Sequence, residues 1–200
     1  MEFRPLQMNL GVLINQLLVI FNGLAIDKNI YLNKILPPNN IVGTISDPLR
    51  IKQVLSNLLG NAIKFTDHGG VTLELYQEVD LINGQVKYVI EVIDSGIGID
   101  EAQQNVLFQP FSQADNRRAG TGLGLYISRN LCEAMGGSLT LKSVRNNGTR
   151  VRAEFSLPIV HGNVEPQKLT DNVVREGNPF NVLVVDDNAA NCKLLAKQLA

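Results

Sequence analysis

Residues 47–66, DPLRIKQVLSNLLGNAIKFT, carry the clearest structural signal in this sequence of 200 residues. Asp47 before Pro48 is typical of a helix start, because an N-cap carboxylate is followed by proline at the first helical position. We therefore predict a helix from this point to about Phe65. At about 100° per residue its two sides differ in chemistry. The apolar side has Ile51, Val54, Leu55, Leu58 and Ala62, and a narrow polar stripe has Arg50, Gln53, Asn57, Asn61 and Lys64.

The polar stripe has two interpretations. Most polar stripes on helices are solvated surface. Asn57 and Asn61, however, lower helix propensity, which makes them a poor choice for a face that only meets water. The second interpretation is a ligand site, because amide oxygens suit Mg²⁺, which proteins hold with few side chains together with waters and substrate phosphates. Lys64 follows one turn later, where it can meet a phosphate as a point charge.

A carboxylate and two glycines follow the predicted strand 90–93. Residues 94–99 read DSGIGI. Asp94 offers an acceptor for a ligand N–H, and Gly96 and Gly98 allow the backbone to approach a flat ring closely. An ordinary Asx turn explains the same residues about equally well.

A second glycine-rich segment, residues 120–125, reads GTGLGL and precedes a helix predicted over 123–135. Backbone N–H groups and the positive end of the helix dipole make such a position suited to phosphate. The G-x-G-x-G spacing is neither the dinucleotide fingerprint nor a loop ending in Gly-Lys-Ser/Thr.

The remaining pattern up to residue 158 predicts further helices and antiparallel strands. Apolar residues at steps of three and four mark one face of an earlier helix, namely Leu10, Leu13, Leu17, Phe21 and Leu24. Hairpins are predicted for 71–78 with 87–93, through Asn83-Gly84 as a type I′ turn, and for 138–143 with 149–157. We therefore expect an α/β fold, a two-layer α/β sandwich whose mixed, mostly antiparallel sheet is covered on one face by helices.

The pattern changes after residue 158. We predict one domain over 1–158, a linker over 159–179, where no hydrophobic period is sustained, and the truncated start of a second domain over 180–200. This last segment is a run of apolar β-formers that ends in Asp186-Asp187, followed by a helical pattern. A capped strand-to-helix turn is the alternative explanation of the acidic pair.

Composition excludes several classes of protein. With 44% hydrophobic and 18% charged residues the chain is not expected to be disordered, and a formal charge of −1 gives no basic field for nucleic acid. Cys132 and Cys192 are far apart, which indicates neither a disulfide framework nor zinc, and a reducing cytoplasm fits best. The apolar stretch 11–26 is interrupted by polar residues, so we expect no direct membrane contact here, although a longer parent protein can be anchored in the inner membrane.

Four motifs in order give the chain a specific resemblance over residues 3–158. Residues 55–66 look like an N box, 94–98 like a G1 box, 108–115 (FQPFSQAD) like an F box and 120–125 like a G2 box. The chain resembles the ATP-binding catalytic domain of bacterial sensor histidine kinases, in the Bergerat-fold family that includes Hsp90, gyrase B and MutL. Asp186-Asp187 resembles the start of a receiver domain.

The resemblance implies a role for each matched residue. Asn61 would be the Mg²⁺ ligand, and Asn57 and Lys64 would contact phosphates or metal-bound water and so take part in catalysis. Asp94 would accept a hydrogen bond from the adenine amino group, supported by the Thr149 hydroxyl. The adenine wall and the phosphate-binding region would comprise Gly96, Gly98, Ile99, Gly120, Thr121, Gly122, Leu123, Gly124 and Leu125, with residues 111–120, beginning at Phe111, as an ATP lid.

Three functions remain open at this point. The first is a histidine kinase that binds ATP and Mg²⁺ and passes the γ-phosphoryl group to a histidine on a separate dimerisation domain of the same parent, with a receiver domain as a further partner. The second is an ATPase of the Hsp90 or gyrase type, which needs a general base where Asn57 offers only an amide. The third is a binding or docking module without turnover, because the spacer 116–119 is shorter than we expect for hybrid kinases.

Overall fold

A central sheet and three long helices form the part of the chain that the structure describes. The structure is a computed structural model, and it describes residues 4–112 and 121–160. Gly120, the predicted linker beyond residue 160 and the segment 180–200 with Asp186-Asp187 lie outside these residues. The elements are β1 (Leu6–Asn9), α1 (Leu10–Asp27), β2 (Tyr31–Ile35), β3 (Gly43–Ser46), α2 (Pro48–Phe65), β4 (Gly70–Asp80), β5 (Gln85–Asp94), α3 (Glu101–Gln104), α4 (Gly124–Ala134), β6 (Ser138–Ser143) and β7 (Thr149–Pro158).

The main sheet has five strands in the order β2-β4-β5-β7-β6. β2 and β4 are parallel, and the other neighbouring pairs are antiparallel. The helices α1, α2 and α4 contribute, with the inward-facing residues of these strands, to one hydrophobic core. The predicted α/β sandwich with a mixed, mostly antiparallel sheet is confirmed. β1 and β3 pair in a separate two-stranded sheet that the sequence did not predict.

Helix α2 follows the sequence prediction at both ends. Asp47 Oδ1 accepts hydrogen bonds from the N–H groups of Leu49 at 3.0 Å and Arg50 at 3.2 Å, which satisfies two of the first-turn donors. The helix ends at Phe65. Its apolar side is buried in the core and comprises Ile51, Val54, Leu55, Leu58, Leu59, Ala62 and Ile63.

Helix α1 departs from prediction in two ways. Leu24, placed on the buried face, is 50% exposed, and Ala25 is fully buried instead, because the buried side continues from Phe21 by a step of four. By length and composition α1 is also apolar enough to cross a membrane, with a mean hydropathy of 1.7. The polar residues in this stretch therefore lower its hydropathy less than we predicted. Leu10 and Ile14 are fully buried, so one side of α1 packs in the core.

The hairpin between β4 and β5 is confirmed, but its turn is not type I′. Type I′ requires positive φ at both central residues, and positive φ at non-glycine positions in the described chain is found at Asn29, Phe111 and Asn146, whereas Gly84 has φ +64°. The loop spans residues 81–84. Asp80 organises it, because Asp80 Oδ1 accepts from the N–H groups of Ile82 and Asn83 at 3.1 and 3.0 Å.

The C-terminus of α2 is held by a cation from the end of α1. Lys28 Nζ donates to the carbonyl oxygens of Ile63 at 2.8 Å, Lys64 at 3.1 Å and Thr66 at 2.8 Å. These carbonyls belong to the last turn, where a helix lacks internal donors and carries the negative end of its dipole. A positive charge there satisfies the oxygens and fixes the position of the residues that leave the helix.

We expect Lys28→Met to lower the free energy of unfolding by about 1–3 kcal/mol, because buried helix-terminal carbonyls lose a charged donor. Urea denaturation measures the change. Lys52→Met is the matched control, because Lys52 lies on α2, the helix that Lys28 contacts, and is exposed. Such surface changes usually stay within about 0.5 kcal/mol. An equal loss in both variants would contradict this role of Lys28.

Candidate functional site

A cleft of about 700 Å³ opens between α2, the end of β5, the β6–β7 hairpin and the start of α4. The structure brings together there most of the residues that the sequence singled out. These are Asn57, Asn61, Lys64, Asp94, Gly98, Ile99, Thr121, Gly122, Gly124, Leu125 and Thr149. The cleft wall also has apolar residues that the sequence analysis did not assign to a site, among them Val92, Ile97, Leu107 and Leu141.

Three of the predicted residues stand apart from the cleft wall. Gly96 lies behind it, where an added Cβ would be 2.3 Å from the Phe65 carbonyl oxygen, so this glycine serves a close backbone contact. The side chain of Phe111 is 74% exposed, and Leu123 is the N-cap position of α4 outside the lining residues. Gly120 is not among the residues that the structure describes.

Asp94 lines the cleft, and one of its two carboxylate oxygens accepts hydrogen bonds from the backbone. Its Oδ1 accepts hydrogen bonds from the N–H groups of Gly96 at 2.8 Å and Thr149 at 3.2 Å. Within the described part of the chain, Oδ2 has no hydrogen-bond partner. Burial raises the pKa of Asp94, and the two backbone hydrogen bonds partly oppose that rise. The site therefore holds an acceptor that a ligand N–H can reach.

Thr149 supports Asp94 differently from the prediction. Its hydroxyl lies 2.9 Å from Ser143 Oγ, and the hydrogen bond to the carboxylate comes from its backbone N–H. The reason is the sheet register, which pairs Asp94 with Thr149 across β5 and β7 and so directs the amide at Asp94. Any other residue with a backbone N–H would provide this bond.

The polar stripe of α2 divides into two parts. Arg50 and Gln53 are not among the residues that line the cleft, and Arg50 Nη1 lies 3.4 Å from Gln53 Oε1. Asn57, Asn61 and Lys64 face the cleft. The Asn61 side chain donates through Nδ2 to Asn57 Oδ1 at 3.4 Å, which leaves Asn61 Oδ1 as an acceptor. Lys64 Nζ lies 4.7 Å from the centre of the Phe65 ring.

The amide oxygen of Asn61 suits a hard cation that keeps most of its water ligands. No group of three or more His, Cys, Asp or Glu side chains suited to a metal occurs among the described residues. Mg²⁺ keeps several waters and is often bound by one or two protein oxygens plus substrate phosphates. One amide oxygen from Asn61 fits that arrangement, whereas it does not fit a metal held by protein ligands alone.

The start of α4 lies at the same cleft, where Gly122, Gly124 and Leu125 are among the lining residues. Its N-cap position, Leu123, makes no side-chain capping hydrogen bond. Gly122 has φ +68°, a conformation that side chains disfavour. An added Cβ at Gly124 would be 2.1 Å from Asn57 Oδ1, so the first turn of α4 lies directly against the stripe of α2. N–H groups in such a turn suit an anion.

The β6–β7 hairpin supports the loop that follows Asp94, a role that the sequence analysis missed. Ser143 Oγ accepts from the N–H of Ile99 at 2.8 Å and lies 2.8 Å from the Gly148 carbonyl oxygen. The N–H of Asn146 donates to the Ile97 carbonyl oxygen at 2.7 Å. The sequence indicated only a turn here, and no local pattern shows which loop a turn will contact.

Arg145 and Asp100 form an ion pair at the mouth of the cleft, and both line it. Asp100 occupies the N-cap position of α3 without a side-chain capping hydrogen bond, because its carboxylate is engaged by Arg145 instead.

Comparison with known proteins agrees with this fold. Residues 46–159 match the family model described as histidine kinase-, DNA gyrase B- and HSP90-like ATPase. Virulence sensor protein BvgS of Bordetella bronchiseptica is 39% identical over 99% of this chain and 17% of its own length. ShkA, solved at full length in complex with AMPPNP, superposes with a TM-score of 0.68 at 27% identity over 81% of this chain and 33% of that one. The catalytic domain of histidine kinase ThkA, in a nucleotide-free form, gives 0.59 at 31% identity over 78% and 95%.

The chain belongs to the family of histidine kinase-, DNA gyrase B- and HSP90-like ATPases, whose model covers more than half of it. Within that family, the ThkA catalytic domain is matched along nearly its whole length. The resemblance to sensor histidine kinase catalytic domains is therefore confirmed. The chain spans 17% of the length of BvgS, so it corresponds to a part of that relative.

We expect Asp94→Asn to stabilise the ligand-free protein near neutral pH. Because burial raises the folded-state pKa of Asp94 above the ordinary value of 3.8, the folded protein keeps this proton to higher pH than the unfolded chain does. Stability therefore falls as pH rises from the unfolded pKa through the folded pKa, and the carboxylate is a net cost above that window. Asparagine removes the charge while its oxygen still accepts from Gly96 and Thr149.

Urea denaturation at a series of pH values from strongly acid to neutral measures this effect. The advantage of the variant should grow through the window and be smallest at the acid end. An advantage of the same size at every pH would contradict a charge effect, and Asp27→Asn, an exposed change at the end of α1, provides the control.

Proposed function

We propose that this chain binds ATP with Mg²⁺ in the cleft and transfers the γ-phosphoryl group to a histidine on a separate dimerisation domain of the same parent protein. The observation that carries the proposal is Asp94 Oδ2, which accepts no hydrogen bond from the described residues, in a cleft that also holds the polar stripe of α2 and the first turn of α4. An acceptor for an exocyclic amine and donors for phosphates in one cleft match an adenine nucleotide. The complex of ShkA with AMPPNP, an adenine nucleotide, supports this choice of ligand.

Each group in the cleft then has a task in binding. Asp94 Oδ2 accepts from the adenine amino group, and the apolar wall around Val92, Ile97 and Leu141 covers the ring. The backbone N–H groups at the start of α4 and the Lys64 ammonium meet the phosphates. Asn61 Oδ1 holds the cation, with Asn57 beside it. Bound Mg²⁺ supplies charge that neutralises the phosphate oxygens as the phosphoryl group leaves.

We favour transfer to a positioned nucleophile over hydrolysis, because both acids that line the cleft have another task and neither is available as a general base. Among the described residues these are Asp94 and Asp100. Asp94 is assigned to the base, and Asp100 is engaged by Arg145 at the mouth. The family resemblance puts Asn57 at the position where an ATPase of the Hsp90 or gyrase type would need a general base, and an amide cannot take a proton. Phosphoryl transfer instead depends on positioning and on charge stabilisation, which the cleft offers.

We propose that the parent is a hybrid sensor kinase in which an acceptor-histidine dimerisation domain and a receiver domain, beginning near residue 180, are tethered to this domain. The parent would be anchored in the inner membrane with this part in the cytoplasm. BvgS, described as a virulence sensor protein of which the matched part is 17%, supports a longer parent.

Asp94→Asn is expected to weaken ATP binding roughly 5- to 150-fold, because the amide places a donor opposite the donor of adenine and leaves it unpaired. Isothermal titration calorimetry with Mg·ATP measures the loss. The same variant should lose less affinity for GTP, whose base offers a carbonyl at that position. Asp27→Asn should bind like the wild type, and an unchanged Kd for Asp94→Asn would contradict the assignment of the base.

Transfer is tested with γ-labelled ATP, the full chain and a dimeric acceptor-histidine domain of the parent. Label should appear on that domain and should be absent when its histidine is replaced by glutamine. Asn61→Ala should reduce the rate at least about tenfold, because a ligand that neutralises charge in the transition state is lost. Free phosphate alone would indicate the ATPase, and bound nucleotide without either product would indicate a binding module.

A further inference from the structure

Ser128 lies on α4 outside the residues assigned to the nucleotide. It is 1% exposed, and it does not line the cleft. Its hydroxyl accepts a hydrogen bond from Asn57 Nδ2 at 3.0 Å, across the contact between α4 and α2. A buried hydroxyl in the interior of a helix is not needed for packing, since alanine at such a position has the higher helix propensity. The contact with Asn57 is therefore the feature to explain.

Ser128 begins a chain of two amides that ends at the cation site. Asn57 donates through Nδ2 to Ser128, which turns its Oδ1 toward Asn61. Asn61 donates through Nδ2 to that oxygen at 3.4 Å. Among the amide nitrogens and oxygens of Asn57 and Asn61, Asn61 Oδ1 is the atom for which the described residues provide no partner, and Asn61 lines a cleft that suits a hard cation. If the two side-chain amides were flipped, Asn61 would present its NH₂ group to the cleft, and that group repels a cation.

The space around Asn57 makes an anchor necessary. Gly124 lies so close that an added Cβ would be 2.1 Å from Asn57 Oδ1, yet glycine offers this oxygen no side-chain donor. Without Ser128, Nδ2 of Asn57 would lie in a part-buried contact with α4 and have no partner among the described residues, and the side chain would gain by turning away. The hydroxyl thus holds the amide where it meets Asn61.

We propose that Ser128 is a positioning residue for the cation site, acting through Asn57 on the orientation of Asn61. This inference rests on the proposed function, because it concerns the binding of Mg²⁺ with the nucleotide. Ser128 touches neither nucleotide nor cation. Its contribution is to orient the amide oxygen before the ligand arrives, so it should affect the step that depends on Mg²⁺ and leave recognition of the base unchanged.

The first experiment measures the affinity of the full chain for AMPPNP by calorimetry with Mg²⁺ and with excess EDTA. In Ser128→Ala the gain in affinity that Mg²⁺ provides should fall about fivefold, as expected for one lost hydrogen bond, and the affinity in EDTA should stay within about twofold. Ser128→Thr, which keeps the hydroxyl, should restore the gain. Ser46→Ala is the matched control, because Ser46 is also buried and contacts the C-terminal end of the same helix through Met135.

The second experiment does not depend on the nucleotide. Side-chain amide signals of Asn57 and Asn61 in the ligand-free protein should be sharp in the wild type, Ser128→Thr and Ser46→Ala, and exchange-broadened in Ser128→Ala. If the wild type binds no nucleotide, the proposed function fails. If it binds with a gain from Mg²⁺ that Ser128→Ala retains in full, or if both amide signals stay sharp in that variant, the role of Ser128 is refuted while the proposed function stands.

Discussion

The seating of α2 against the sheet is the constraint on which the rest of the site depends. Seven of its apolar residues are buried in the core, so the helix cannot rotate about its axis without exposing them to water at a cost of about 1.5–3 kcal/mol for each large side chain. The part of its polar stripe that carries Asn57, Asn61 and Lys64 is therefore held facing the cleft. Lys28 and the N–H of Ile97, which donates to the Phe65 carbonyl oxygen at 3.2 Å, prevent sliding along the axis at the C-terminal end. Burial of one side thus fixes the chemistry offered by the other.

Much of this arrangement could be predicted from the sequence, because it is encoded locally. Each of the signals lies within one segment of the chain: Asp47-Pro48, the spacing of the apolar residues in α2, and the glycines around Asp94. The order of the four motifs then indicated that these segments form one site. The cleft then holds the Asn57, Asn61, Lys64 and Asp94 side chains together. Their proximity is a property of the fold.

The features that escaped prediction are those that depend on tertiary contacts. The support of Asp94 comes from the backbone of Thr149, which only the register of β5 and β7 determines. Arg145, Ser143 and Ser128 have no motif of their own, and their importance appears when a second element lies against them. The prediction of a type I′ turn at Asn83-Gly84 was wrong because it considered only these two residues. Asp80, which precedes the loop, determines the loop geometry through its hydrogen bonds.

One contact concerns how this domain can diverge. An added Cβ on Gly122 would lie 2.6 Å from the carbonyl carbon of Phe111 and 2.8 Å from the oxygen of Ser112, so the chain on the two sides of residues 113–120 is already brought together by the fold. The entropy needed to close a loop between joined ends rises only slowly with its length. Residues can therefore be inserted or deleted between these two ends during evolution without rebuilding the core.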